Sequence, residues 1–204
     1  MIKIKSKFIL SIVLSLSLIS TGFVANARTF NELLGRSGED SIYFHSTKLL
    51  FNQQYLNGIW EGLGDDGVGL WKYWGSPITS TEVTFGKSKI DFVTGHNHDF
   101  DAGCVGETNM YDIGGTNLNG GDLDDFDGRV VYAAIIMNPK TVKEYSKTEK
   151  KAILAHEVGH ALGLWHTASS STASIMSAKS SNKGWKTSCQ KEDKDDIKEL
   201  YEED

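Results

Sequence analysis

Five short stretches of apolar, β-branched and aromatic residues have the pattern typical of β-strands. The most apolar stretch, residues 130–137, is closed by Asn138 and Pro139, and it predicts a buried strand because it is too short for a typical helix. A short strand is also predicted inside residues 95–129, a stretch dominated by Gly, Asp and Asn that otherwise indicates loop. The five predicted strands are residues 41–51, 82–85, 90–94, about 105–111 and 130–137.

The clearest helix begins after Tyr145. Ser146 is followed three residues later by Glu149, which is the form of a capping box at a helix N-terminus. Gly163 is well placed to end this helix by adopting a left-handed backbone conformation. The apolar face consists of Leu154, Val158, Ala161 and Leu162.

Two other helices are predicted on either side of this one. Residues 191–201 open with acidic side chains and carry Ile197, Leu200 and Tyr201 for packing. Apolar residues at roughly helical spacing in residues 59–74 predict an earlier helix, although each glycine there weakens it by up to about 1 kcal/mol. No repeat or linker divides the chain, so the pattern predicts one domain with a mixture of strands and helices.

The N-terminus has the three parts of an export signal. Three lysines within residues 1–7 precede an apolar run at residues 8–19, and Ala25-Asn26-Ala27 offers small residues for cleavage. An uncleaved membrane anchor is the alternative, but serines interrupt the run and it is short for a bilayer span. We therefore expect a signal peptide at 1–27, a loose leader at 28–40, a folded domain at 41–204 and no membrane span in the mature chain.

Charge and cysteine content narrow the possible partners and the compartment. The signal holds three of the 21 basic residues and none of the 27 acidic residues, so the mature chain has a net charge of −9. That charge argues against nucleic acid as a partner. Cys104 and Cys189 are the only cysteines, and export permits a disulfide between them, with two unpaired thiols as the alternative.

The segment 156–166, HEVGHALGLWH, contains three of the six histidines of the chain. In a helix, residues four apart lie about 40° apart around the axis, so His156 and His160 can bind one metal ion. In an unbroken helix His166 would lie about 9 Å beyond His160, too far for a shared ion. Gly163 lies between them and permits the turn that brings His166 back. Surface histidines on an ordinary helix are the alternative.

Three neutral imidazoles and a water molecule form an open tetrahedral zinc site of the catalytic kind. Zinc lowers the pKa of its water and polarises a scissile carbonyl group. Glu157 lies at the edge of the same helix face, where its carboxylate can act as general base without being a ligand. The residues therefore predict hydrolysis with Glu157 catalytic and His156, His160 and His166 binding one Zn²⁺.

This segment resembles the metzincin signature H-E-x-x-H-x-x-G-x-x-H, which is followed by a methionine turn. Ser174-Ile175-Met176 supplies that turn, and the resemblance implies that Met176 packs beneath the zinc site. Thr167 after the third histidine, and Ser177-Ala178 after Met176, are similar to the matrixin branch.

The resemblance implies an α+β metzincin-like catalytic domain, with a twisted mixed five-stranded sheet, an active-site helix and a C-terminal helix. It also implies a secreted, monomeric zinc endopeptidase acting on protein or peptide substrates. Residues 130–138 are similar to the matrixin edge strand, which implies that an extended substrate pairs there as an added strand. A catalytically silent, secreted metzincin-like binding protein remains the alternative.

Several features depart from the matrixin pattern. The chain has no Pro-Arg-Cys-Gly switch sequence, so latency through a cysteine is not supported. His96 and His98 fall where matrixins begin a structural zinc site, but no later histidine precedes His156 to complete it. The acidic run 122–127 offers oxygen ligands for Ca²⁺ without the spacing of an EF-hand, so a calcium site and a solvated loop both remain open.

Overall fold

The computed structural model describes residues 48–73, 75–111, 117–118, 132–167, 174–177 and 185–201. Five strands form one mixed sheet in the order β2-β1-β3-β5-β4. Neighbouring strands run parallel except for β4, which pairs antiparallel with β5. The strands are β1 (Lys48–Tyr55), β2 (Thr79–Glu82), β3 (Ile90–Thr94), β4 (Gly106–Tyr111) and β5 (Tyr132–Met137).

Three α-helices accompany the sheet, and α2 packs against β4 and β5 as well as against α1. The α+β architecture with a mixed five-stranded sheet is therefore confirmed. In the described part of the chain, no helix is both long enough and apolar enough to cross a membrane. The helices are α1 (Gly64–Gly69), α2 (Lys147–Ala161) and α3 (Lys191–Tyr201).

The prediction that residues 130–138 form an edge strand is wrong. Its described part, β5, lies between β3 and β4, and Ala133, Ile135 and Met137 are fully buried. The face that carries these residues is fully buried, whereas Tyr132, Ala134 and Ile136 on the other face are partly exposed. The edge strand next to α2 is β4 instead.

The predicted helix at residues 59–74 is much shorter than expected. Only α1 and a 3₁₀ turn at Gly58–Trp60 are helical among the described residues of this region. Gly58, Gly62 and Gly75 have positive φ angles of 60°, 69° and 82°, which a right-handed α-helix does not contain. Gly67 permits close packing instead, because a Cβ atom there would lie 2.7 Å from Cβ of Leu154 on α2.

The strand boundaries at the other edge also differ from prediction. β1 extends to Tyr55, four residues beyond the predicted end, whereas residues 41–47 lie outside the described residues. β2 begins at Thr79 and ends at Glu82, where the predicted strand was to begin. A 3₁₀ turn at Phe85–Lys87 follows, in which the Ser88 hydroxyl donates to the Phe85 carbonyl at 2.6 Å.

Helix α2 begins and ends as the sequence predicts. The Ser146 hydroxyl accepts from the backbone N–H of Glu149, whose carboxylate accepts from the backbone N–H of Ser146 at 2.7 Å. At the other end Gly163 has a φ of 89°, and the N–H of Leu164 donates to the Gly159 carbonyl at 2.9 Å. This is a Schellman motif, and it reverses the chain direction directly after the second histidine of the motif.

Candidate metal centre and its neighbouring carboxylate

The three motif histidines converge on one point at the end of α2. The Nε2 atom of His166 lies 3.1 Å from Nε2 of His156 and 3.1 Å from Nε2 of His160. Tetrahedral zinc with Zn–N bonds of about 2.0–2.1 Å separates its ligand nitrogens by about 3.3–3.4 Å. Among the described residues, this is the only group of three or more His, Cys, Asp or Glu side chains with such convergence.

Backbone carbonyls fix the orientation of two of the rings. Nδ1 of His156 donates to the Ile175 carbonyl at 2.8 Å, and Nδ1 of His160 donates to the Leu164 carbonyl at 2.8 Å. A neutral imidazole that carries its proton on Nδ1 has an acceptor lone pair on Nε2. Both Nε2 lone pairs therefore point to the space shared with His166.

Burial favours the neutral form of all three rings. Burial lowers the pKa of His156 to about 4, with a further decrease from the nearby His166. Burial, followed by the charges of His156 and His166, holds the pKa of His160 well below its usual value, and burial also lowers the pKa of His166. Neutral imidazoles are the form that binds a metal ion, and three of them are a donor set that suits Zn²⁺.

A turn at Ser174–Ser177 underlies the metal centre. Met176 is fully buried, and a Cβ atom at Gly159 would lie 2.2 Å from its Sδ atom. The Thr167 N–H donates to the Met176 carbonyl at 2.9 Å, which ties this turn to the residue after His166. The structure thus places Met176 beneath the helix that carries the histidines, in agreement with the resemblance to the metzincin methionine turn.

Glu157 is buried beside the three histidines, with 4% of its surface exposed. The hydroxyl of Thr108 on β4 lies 2.8 Å from its Oε2 atom and 2.9 Å from its backbone carbonyl. Burial raises the pKa of Glu157 to about 7, the negative charge of Glu107 contributes to the rise, and the Thr108 hydrogen bond opposes it. A buried carboxylate with a raised pKa suits an acid–base group.

The remaining candidate ligands lie apart from this centre or outside the described residues. Nε2 of His96 contacts Oδ1 of Asn57 at 2.7 Å, and Nε2 of His98 contacts Oε2 of Glu107 at 3.1 Å. Neither histidine belongs to a metal-binding group within the described residues. The acidic run 122–127 that suggested Ca²⁺ lies outside the described residues.

Of the two alternatives for Cys104 and Cys189, the structure has the unpaired one, with both thiols free. The Cys104 thiol donates to the Gly106 carbonyl at 3.0 Å, whereas the Cys189 thiol donates to the Leu70 carbonyl at 3.1 Å. Burial raises the pKa of both thiols, so neither forms a thiolate readily.

Sequence reasoning missed several residues that support the centre. Thr108 and the Ile175 carbonyl contact Glu157 and His156 across 49 and 19 positions of sequence. Trp185 packs edge-on against His156, with ring centroids 5.7 Å apart. No local motif marks these residues, because each acts through a tertiary contact. Ile175 is the exception, because it belongs to the methionine turn that the sequence indicates.

Comparison with known families agrees with this geometry. The family model described as Matrixin matches residues 81–202, which is more than half of the chain and includes the histidine motif, the methionine turn and most of the sheet. A search of curated proteins found no match.

Proposed function

The chain belongs to the matrixin family, a family of zinc metallopeptidase-type domains, and on this premise we propose that it is a secreted zinc-dependent endopeptidase. The observation that carries the proposal is the convergence of three neutral histidines beside a buried carboxylate. His156, His160 and His166 would bind one Zn²⁺ and leave one position open for a reacting molecule. A bound zinc ion would supply Lewis-acid polarisation of a peptide carbonyl and a water molecule of lowered pKa.

Glu157 is assigned to proton transfer in this proposal. Its carboxylate would take a proton from the attacking water and pass it to the leaving amine. It directly follows His156 in α2, so it lies at the same end of the helix as the histidines. It does not occupy a ligand position. A purely structural zinc site needs no carboxylate there and would close its fourth position with a protein ligand.

The substrate would be a protein or peptide in an extended conformation. β4 lies at the edge of the sheet, and Thr108 on this strand contacts Glu157 directly. A peptide lying along β4 would therefore bring its backbone close to the metal centre, as in strand addition. Trp185, which packs against His156, would belong to the wall of the main side-chain pocket.

Secretion is proposed from the sequence pattern of residues 1–27. The mature protein would begin at Arg28 with a loose leader at 28–40, followed by the catalytic domain at 41–204, and would act as a monomer. N-terminal sequencing of the protein recovered from culture medium tests this. A mature protein that starts at Met1 would contradict cleavage, and a start well beyond Ser41 would reveal a processed leader.

The central test compares zinc content, thermal melting and casein cleavage in variants of the full chain. Glu157→Ala should bind one zinc per molecule and fold normally, but cleave casein about 10²–10⁴-fold more slowly because the base is lost. His160→Ala should lose zinc and melt at a lower temperature, since metal binding free energy is partly folding free energy. His96→Ala is the matched control, because His96 contacts Asn57 outside the centre.

Three outcomes would each contradict a part of the proposal. Casein cleavage by Glu157→Ala near the wild-type rate would exclude Glu157 as the base. Wild-type protein that binds zinc but cleaves no protein or peptide would instead support a catalytically silent matrixin-like binding protein. Two equivalents of tightly bound zinc would show that His96 and His98 belong to a second site.

A further inference from the structure

One face of β4 packs against helix α2 at Glu157. Side chains alternate along a strand, so Gly106, Thr108 and Met110 lie on the same face. A Cβ atom at Gly106 would lie 3.2 Å from Cγ of Glu157, so the glycine lets helix α2 approach the strand closely. Thr108 is then the first residue of this face that has a side chain able to contact the carboxylate.

The contact between Thr108 and Glu157 is short and shielded from water. Only 6% of the surface of Thr108 and 4% of the surface of Glu157 are exposed. The Thr108 hydroxyl is the single hydrogen-bond partner of the Glu157 carboxylate among the described residues. The hydroxyl of Thr108 has one proton and two possible acceptors on Glu157, the Oε2 atom at 2.8 Å and the backbone carbonyl at 2.9 Å. When Glu157 is ionised, its carboxylate is the stronger acceptor and receives the hydrogen bond.

Without this bond the carboxylate would be poorly fixed. The terminal torsion of a glutamate has a broad, two-fold energy profile, so packing alone defines the plane of the carboxylate weakly. Threonine is β-branched and stiff at χ1, which makes it a suitable fixed donor. Serine preserves the donor but lacks this stiffness, and valine preserves the shape but lacks the donor.

This inference rests on the proposed endopeptidase function: we propose that Thr108 is a positioning residue, whose hydroxyl holds Oε2 of Glu157 and leaves Oε1 oriented to accept the proton of the attacking water. The bond fixes the plane of the base and acts on the reaction only through Glu157.

Steady-state peptide cleavage by the zinc-loaded full chain tests the role. Thr108→Val should lower kcat by roughly 10- to 100-fold, because a misoriented base is lost from the transition state while KM and zinc content stay at wild-type values. Thr108→Ser should stay within a few-fold of wild type, which a shape-filling role would not produce. Thr94→Val is the matched control, because Thr94 is a buried strand threonine that hydrogen-bonds to the backbone of Asn57. It should leave kcat unchanged.

A second measurement is independent of turnover. The infrared carboxylate band of Glu157 is identified by subtracting the spectrum of Glu157→Gln, and Thr108→Val should shift this band whereas Thr94→Val should not. If the wild type binds zinc but cleaves no peptide, the proposed function fails, and the band still decides whether Thr108 holds the carboxylate.

Three results would overturn the role of Thr108. They are an unshifted band in Thr108→Val, an unchanged kcat in that variant, and a loss of activity that parallels a loss of zinc. If Thr108→Val does not fold, Thr108→Ala replaces it in both measurements, with Thr108→Ser as its rescue.

Discussion

The carboxylate of Asp193 accepts hydrogen bonds from the backbone N–H of Ile175, with distances of 3.0 and 3.1 Å to its two oxygens. Asp193 lies in the first turn of α3, and the carbonyl of Ile175 accepts from Nδ1 of His156. Ser174 and Gln190 also donate to this carboxylate, at 2.6 and 2.8 Å. The C-terminal helix therefore fixes the turn that orients the first histidine of the metal centre.

We expect Asp193→Asn to lower both stability and metal affinity. The new amide group would face the donors of Ile175 and Gln190, which should cost about 2–3 kcal/mol of unfolding free energy. The displaced Ile175 carbonyl would also hold His156 less firmly and weaken zinc binding, by about 10- to 100-fold. Chemical denaturation and zinc titration measure the two effects.

The control for this change is Asp195→Asn on the same helix. Asp195 is exposed and forms an ion pair with Lys191 one turn earlier. Loss of a solvent-exposed pair should leave both the unfolding free energy and the zinc affinity close to their wild-type values. Equal effects of the two substitutions would contradict a specific role for Asp193.

Gly159 marks the closest approach between α2 and the methionine turn. In Gly159→Ala the new methyl group would lie 2.2 Å from Sδ of Met176 and 2.9 Å from the Trp71 ring, so one of them must move. Overpacking should cost about 1–3 kcal/mol despite the better helix propensity of alanine. Thermal unfolding measures the loss. Gly69→Ala is the control, because nothing lies within 4 Å of its new methyl group and it should not lower stability.

Removal of the metal should destabilise the domain reversibly. A ligand present at 100 times its dissociation constant stabilises the folded state by about 2.7 kcal/mol, so a chelator should lower the melting temperature and added Zn²⁺ should restore it. His166→Ala should melt at the same temperature with and without chelator, since one of the three converging nitrogens is gone. A chelator that leaves the wild-type melting temperature unchanged would contradict a tightly held metal.

Reducing agents should leave the melting temperature unchanged, because Cys104 and Cys189 are both free. Alkylation of the folded protein should modify Cys104 before Cys189, since Cys189 has only 8% of its surface exposed and Cys104 is half-buried. Peptide mapping after timed alkylation follows the order. A melting temperature that falls on reduction would indicate a disulfide in the secreted protein.

The capping box of α2 should make a pH-dependent contribution to stability. Hydrogen bonds from the hydroxyl and backbone of Ser146 lower the pKa of Glu149 in the folded state. Its contribution is therefore fully present above the pKa of the unfolded chain, about 4.3, and is lost as pH falls through the lowered folded-state pKa. The stability difference between wild type and Glu149→Gln should therefore shrink as the pH falls below about 4.3. A stability difference that does not change with pH would contradict this role of Glu149. Ser146→Ala removes the N-cap and should lower the unfolding free energy by about 1 kcal/mol at neutral pH.

The sequence by itself determined the features that depend on neighbouring residues. The start of α2 follows from Ser146 and Glu149, and its end follows from Gly163, because caps involve residues three or four apart. Helical spacing likewise brings His156 and His160 together without help from the rest of the chain. The sequence also predicts the histidine motif and the bounds of α3, because both depend on residues that are close together in the chain.

Only the tertiary structure decided which strand borders the metal centre and which residues hold its side chains. The apolar run at 130–137 indicates burial, but a run of this kind does not specify its neighbours in the sheet. β5 accordingly lies inside the sheet, and β4 takes the edge. Thr108 reaches Glu157, and Asp193 reaches Ile175, across 49 and 18 positions of sequence. Contacts over such separations depend on how the sheet and helices pack, and no local pattern encodes that packing.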